Sequence, residues 1–368
     1  MHTRRDFISY AAAGLVTAPA FAMGSSAKGG YSVERYRRAV VIDALGGPDG
    51  FGAASLADIK ASGVTAVNLT VGEVGNSPDA YDAAIREIAN IEGEIAAHPD
   101  LLMKVLSAAD LRAANTSKRL GLIYGFQDTS MLAGDLSRLT LFRNLGVRIF
   151  QLTYNRRNLM ADGCLEPADG GLSTLGRQAI AEINKLRVLL DLSHAGPRTI
   201  REGIEACKGP LAITHTGCRA LVDVPRNTDD RSLKALADKG GVAGIYFMPF
   251  LRASGQARAE DLIRHLEHAV NVCGEDHVGL GTDGTISAAA TDEAAVRAQR
   301  EFFERRAQQG IAAPGEAADV FNFVPEYNEP LRLLRLAEDL GRRGWSETKI
   351  EKILGGNFLR LFAAVWGG

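Results

Sequence analysis

Eight short apolar runs recur along this chain with helical segments between most of them, and this alternation constrains the fold more than any other feature. The runs read AVVID (39–43), TAVNLTV (65–71), GLIYGFQ (121–127), VRIFQLTY (147–154), RVLLDLSH (187–194), PLAITH (210–215), VAGIYF (242–247) and HVGLGTD (277–283). Between them lie stretches with helical character, such as 77–98, 173–186 and 257–274. Strands alternating with helices build parallel βαβ units. Eight of them in one domain predict a (β/α)8 TIM barrel, here with further helices at its C-terminal end. An open doubly wound sheet is the alternative. No G-x-G-x-x-G follows the first run, which argues against its dinucleotide-binding version.

A chain of 368 residues suits one large α/β domain or two smaller ones. A net charge of −2 gives no reason to expect nucleic acid or an anionic membrane surface as partner. The N-terminus differs in kind, opening MHTRRDFISYAAAGLVTAPAFAMG. A twin arginine (Arg4, Arg5), a short apolar core and Ala20-Phe21-Ala22 follow the order of an export signal with an A-x-A cleavage site. The pair resembles the twin-arginine signal used by proteins exported already folded. Residues 1–22 are therefore expected to be a signal peptide, leaving 23–368 as the barrel of a periplasmic protein with no membrane span after cleavage. The cysteines Cys164, Cys207, Cys218 and Cys273 form no CxxC and read as buried small hydrophobes.

In a barrel, the C-terminal ends of the strands converge on one mouth, where active sites lie. Asp43, Gln127, Tyr154, His194, His215 and Asp283 each end a different run, so residues distant in sequence are predicted to share one rim. Two imidazoles with an oxygen donor nearby suit a divalent metal, and zinc with an open position activates water near neutral pH. Asp283 could orient that water or carry its proton. A lone strand-end histidine is more often a hydrogen-bonded structural residue; two on neighbouring strands favour the metal. Arg226, in VPRNTDD (224–230), could grip a carboxylate bidentately, or simply cap a helix or pair with Asp229 or Asp230. His265 and His268 read as surface residues of a charged helix, His98 as a helix end, and Gly355-Gly356-Asn357 as a helix stop.

With these residues placed, GVRIFQLTYNRRN, the stretch ending in LLDLSH, ITHTGCRALVDVPRNTDD, HVGLGTDG and KILGGNFLRLF resemble, in that order, the membrane (renal-type) dipeptidase family of zinc peptidases. The resemblance spans about residues 38 to 365. It implies a (β/α)8 barrel with two zinc ions and a bridging water that attacks a dipeptide. It assigns His194 and His215 to one zinc, Arg226 to the substrate carboxylate and Asp283 to acid/base work. The departures matter as much. The family's first-strand His-x-Asp pair falls on Leu45 and Gly47, the bridging glutamate on Gln127, and the oxyanion-stabilising histidine on Tyr154. An amide is a weak zinc ligand and cannot neutralise a second ion. At most one zinc per chain is therefore expected, on His194 and His215 with Gln127 or Asp283, while Tyr154 keeps a hydroxyl to offer substrate.

Three functions remain open in the sequence: a dipeptidase-type hydrolase, an enzyme tailoring another small peptide or metabolite on the same scaffold, and a non-catalytic binding protein. A long excursion, 286–330, follows the eighth run. It is expected either to shape the pocket, to lie outside the barrel, or to form a contact between two copies of the chain in a homodimer.

Overall fold

In the computed structural model, residues 30–75 and 78–367 are described, so the expected signal peptide lies outside the described residues. Eight strands form the barrel: β1 (Ile42–Asp43), β2 (Ala66–Thr70), β3 (Leu120–Phe126), β4 (Val147–Gln151), β5 (Leu189–Asp191), β6 (Ala212–Thr216), β7 (Val242–Ile245) and β8 (Val278–Leu280). They are hydrogen-bonded in chain order, and every pairing between neighbours is parallel. Ala44 N–H donates to the Leu280 carbonyl at 2.9 Å and brings β8 against β1. The expected barrel is present as a single domain. A short strand, Leu102–Lys104, also pairs with β3, and Gly46–Gly47 pairs with Gly284–Thr285 above the seam.

Alternating side chains of a barrel strand point inward. Ile42, Ala66, Ile123, Ile149, Leu189, Ala212 and Val242, one from each of seven strands, form an apolar layer with Phe358, Leu361 and Phe362 of the C-terminal helix Asn357–Trp366. The eighth strand contributes Gly279, where a Cβ would overlap the Phe358 ring. A helix thus plugs the floor, and polar chemistry is confined to the other end. Helices such as Ala80–Ala97, Thr174–Leu186 and Ala259–Cys273 pack outside, within a residue or three of the stretches predicted for them.

Two expectations need correction. Gly355-Gly356-Asn357 does not end the helical region; Gly355 makes a kink packed on the backbone of Val40 and Ile42, and helix resumes at Asn357. His265 is buried (1% exposed), accepting the Cys218 N–H at Nδ1 and donating from Nε2 to the Leu251 carbonyl. Burial pushes its pKa down to about 4. No helix among the described residues is long and apolar enough to cross a membrane.

Candidate active site

The apolar runs are longer than the strands they contain, because an aspartate ends the ladder and starts a turn. At the end of β5, Asp191 accepts the N–H groups of Ser193 (2.9 Å) and Thr214 (3.0 Å) and the Ser193 hydroxyl (2.7 Å). Such carboxylate-to-backbone bonds are what make aspartate a turn former. The turn carries His194 three residues past the strand into left-handed backbone (φ 63°), which throws its ring over the mouth. Asp283, three residues past β8, has φ 57° and donates its N–H to the Leu45 carbonyl at 2.7 Å. Left-handed backbone costs a non-glycine residue about 1 kcal/mol, and such strain is stored where the surroundings over-determine it. His215 needs no such device, since it lies within β6 itself.

The hydrogen bonds assign both imidazoles. Arg226 Nη2 lies 3.0 Å from His194 Nε2 and can only donate, so Nε2 accepts. The His194 proton is then on Nδ1, which donates to Asn155 Oδ1 at 2.6 Å. In His215, Nδ1 lies 2.9 Å from the Thr214 hydroxyl, whose own hydrogen goes to the Asp191 carboxylate at 2.5 Å. With Asp191 ionised, His215 Nδ1 therefore donates to Thr214, and its lone pair also lies on Nε2. Anchoring Nδ1 by an oxygen is how proteins orient metal-binding histidines. The two rings stand edge to face, 4.9 Å between centroids.

Tyr154 and Arg226 pack on this pair. The Tyr154 ring stacks on His194 at 4.2 Å. Arg226 is 4% exposed, with its guanidinium 5.8 Å from the ring centres of both Tyr246 and Phe250. The two aspartates are engaged elsewhere: Asp229 caps the helix Asp230–Asp238, and Asp230 faces His268. Burial raises the Tyr246 phenol well above its ordinary value, with the charge of Arg226 opposing the rise and that of Asp283 adding to it. Gln127 stands one residue beyond β3 and donates from Nε2 to the Thr70 hydroxyl at 2.7 Å. Asp128 turns the other way, accepting the Gly75 and Ser130 N–H groups. Asp43 binds the Leu45 and Thr282 N–H groups and the Thr282 hydroxyl, so it closes the seam of the barrel.

Sequence reading missed Asn155, Thr214, Cys164 and Arg306. Asn155 adjoins Tyr154, and Thr214 adjoins His215, so adjacency was the available signal for both. Cys164 is half-buried and hydrogen-bonded to Asn155; burial raises its thiol pKa and Arg226 opposes the rise. Arg306 comes from the excursion. Its helix Glu293–Gln308 and the chain beyond it turn back onto the rim: Arg306 donates to the Tyr154 hydroxyl (3.0 Å), Asn155 Nδ2 to the Ile311 carbonyl (2.7 Å) and Arg156 to the Gly310 carbonyl (2.6 Å). Of the three places expected for the excursion, these contacts put residues 306–316 at the pocket rim.

The donor set does not fit a pair of zinc ions. Leu45 and Gly47 carry no ligand atoms in their side chains, and Gln127 brings no charge. Among the described residues, no three His, Cys, Asp or Glu side chains converge as a metal would require. What remains is the two imidazoles, with Arg226 on the Nε2 of His194.

A parallel barrel whose mouth gathers two oriented imidazoles, a buried guanidinium and a carboxylate has the frame of the barrel hydrolases. Comparison with known proteins is specific about which. An amidohydrolase structure from Pseudomonas aeruginosa superposes with a TM-score of 0.79 at 31% identity, covering 91% of this chain and 99% of that one. A metallo peptidase structure from Rhodobacter sphaeroides, liganded with a phosphinate mimic of the dipeptide L-Ala-D-Ala, shares the fold at a TM-score of 0.71 and 21% identity, covering 89% of this chain and 99% of that one. Dipeptidase 3 of Rattus norvegicus is 26% identical over 294 residues, which is 78% of this chain and 53% of the rat protein. Residues 50–295 match the membrane dipeptidase family, peptidase family M19, and the chain belongs to it. It is a hydrolase of the metallo-dipeptidase type.

Proposed function

We propose that this chain cleaves a dipeptide, or a comparably small amide with a free carboxylate, in the periplasm, and holds no more than one metal ion. The observation that carries the reading is Arg226. Its guanidinium is buried against aromatic rings and hydrogen-bonded to a neutral imidazole nitrogen at 3.0 Å. A carboxylate is a stronger, bidentate acceptor for the same fork. Substrate would therefore draw Arg226 off His194 and leave Nε2 to the reaction.

The other roles follow from position. Asp283, three residues past β8 at the C-terminal end of the strand, holds and returns the proton that moves between water and leaving amine. The Tyr154 oxygen already accepts from Arg306, so its own hydrogen is available to a developing oxyanion. One zinc on His194 and His215, with the Gln127 amide oxygen as third ligand, would supply activated water. That ion and Arg226 compete for one nitrogen. The same contact favours a second reading, a carboxylate-binding protein that has given up metal chemistry.

The deciding experiment is elemental analysis of the mature protein beside His194→Ala and His215→Ala, with a dipeptide panel run on the same preparations. About one zinc per chain, lost in both variants, with turnover of a dipeptide, is the expected result. Two ions per chain would overturn the metal count. No ion after incubation with zinc, and no turnover, would leave the binding protein. Turnover of other small amides but not dipeptides would point to a tailoring enzyme.

A further inference from the structure

We propose that Arg306 is a positioning residue of the rim: paired with Glu316, it holds Tyr154 and Asn155 and through them fixes the tautomer of His194. The inference rests on the proposed reading of Tyr154 and His194 as site residues.

Arg306 binds Glu316 through two parallel bonds, Nε to Oε2 at 2.6 Å and Nη2 to Oε1 at 2.8 Å, and the side chains are 13% and 5% exposed. Glu316 also accepts the Ala313 N–H at 3.0 Å, which folds the loop around the pair. A buried ion pair is weak evidence for stability, since apolar residues of the same size often serve as well. The remaining donors show a different use. Nη1 donates to the Tyr154 hydroxyl at 3.0 Å, and Nη2 also reaches the Ile311 carbonyl at 3.2 Å.

That carbonyl is shared. Asn155 Nδ2 donates to it at 2.7 Å, which settles which way the amide faces and turns Oδ1 to His194 Nδ1. An acceptor at Nδ1 requires the hydrogen there and the lone pair on Nε2. The second route runs through the Tyr154 ring, tethered at its hydroxyl and stacked on the His194 imidazole at 4.2 Å. Both routes leave Arg306, and both end on the ring that faces Arg226. The effect of Arg306 on His194 is transmitted by the side chains it holds.

Nitrogen-15 spectra of histidine-labelled, metal-free protein test this directly, because they report the tautomer of each ring without any turnover. Wild-type His194, assigned with His194→Ala, is expected to show the hydrogen on Nδ1. Arg306→Met keeps the volume but removes every donor, and should shift His194 toward a mixture of tautomers. Glu316→Gln and Arg306→Lys should shift it less. His265, whose hydrogen lies on Nε2, reports in the same spectra that the barrel is intact. An unchanged His194 signal in Arg306→Met with an unchanged His265 overturns the proposal. If Arg306→Met loses the His265 signal, Glu316→Gln decides: a shifted His194 supports the proposal and an unshifted one overturns it. Lack of dipeptide turnover in the wild type would instead sink the functional reading and leave this result standing.

Discussion

Asp43 sits at the seam of the barrel with its carboxylate shared among Leu45 and Thr282. Burial pushes its pKa up to about 6, against those hydrogen bonds and the nearby charge of Arg332. A carboxylate raised above its unfolded value of about 3.9 binds its proton more tightly when folded. Its contribution to stability is therefore full below about pH 4 and lost as pH rises through about 6. Asp43→Asn should remove that component, so thermal midpoints of the variant should change less than those of wild type between these pH values; parallel profiles would reject the assignment. At this scale the sequence was informative about identity and poor about surroundings. His194, His215, Arg226 and Asp283 could be singled out because chemistry restricts residue type at such a mouth. His265 could not be read as buried, because its helix carries charges on neighbouring positions and what covers the ring is the loop at Cys218 and Leu251.

Elements are where the apolar period was reliable and their ends were not. All eight runs became barrel strands, yet the run 187–194 yields the three-residue strand Leu189–Asp191, and 277–283 yields Val278–Leu280. Hydrophobicity marks what will be buried, whereas a strand ends where ladder bonds stop, and that is set by the carboxylate of Asp191 in one case and the tie to Asp43 in the other. Close packing between elements was equally hidden. A Cβ on Gly244 of β7 would overlap the Thr214 carbonyl of β6. Gly244→Ala must therefore spread two paired strands beside His215, at a cost of about 1–3 kcal/mol in urea unfolding. An unchanged midpoint would show that the strands yield freely. The excursion is the opposite case: its helix was legible, and its seat on the rim depended on Arg306 and Glu316 meeting Tyr154.

For the whole molecule, the barrel needs both a closed seam and a filled floor. The floor is completed by Phe358, fully buried among the inward residues of β1 to β7. Phe358→Ala should cost about 3–5 kcal/mol of stability by denaturant titration, because the strands, fixed by their ladders, cannot collapse into the space. A loss below about 1 kcal/mol would mean that the terminal helix is not part of the core. The sequence by itself determined the barrel, because alternation of strand and helix admits few topologies. It also determined that residues ending different strands lie at one end of the barrel, and that Leu45 and Gly47 carry no ligand atoms in their side chains, because side-chain chemistry is written in the letters. Only the tertiary structure decided that Arg226 faces His194, that Asn155 fixes its proton, and that Arg306 holds the rim. Those contacts join residues up to 156 positions apart through single hydrogen bonds, and no local pattern records them.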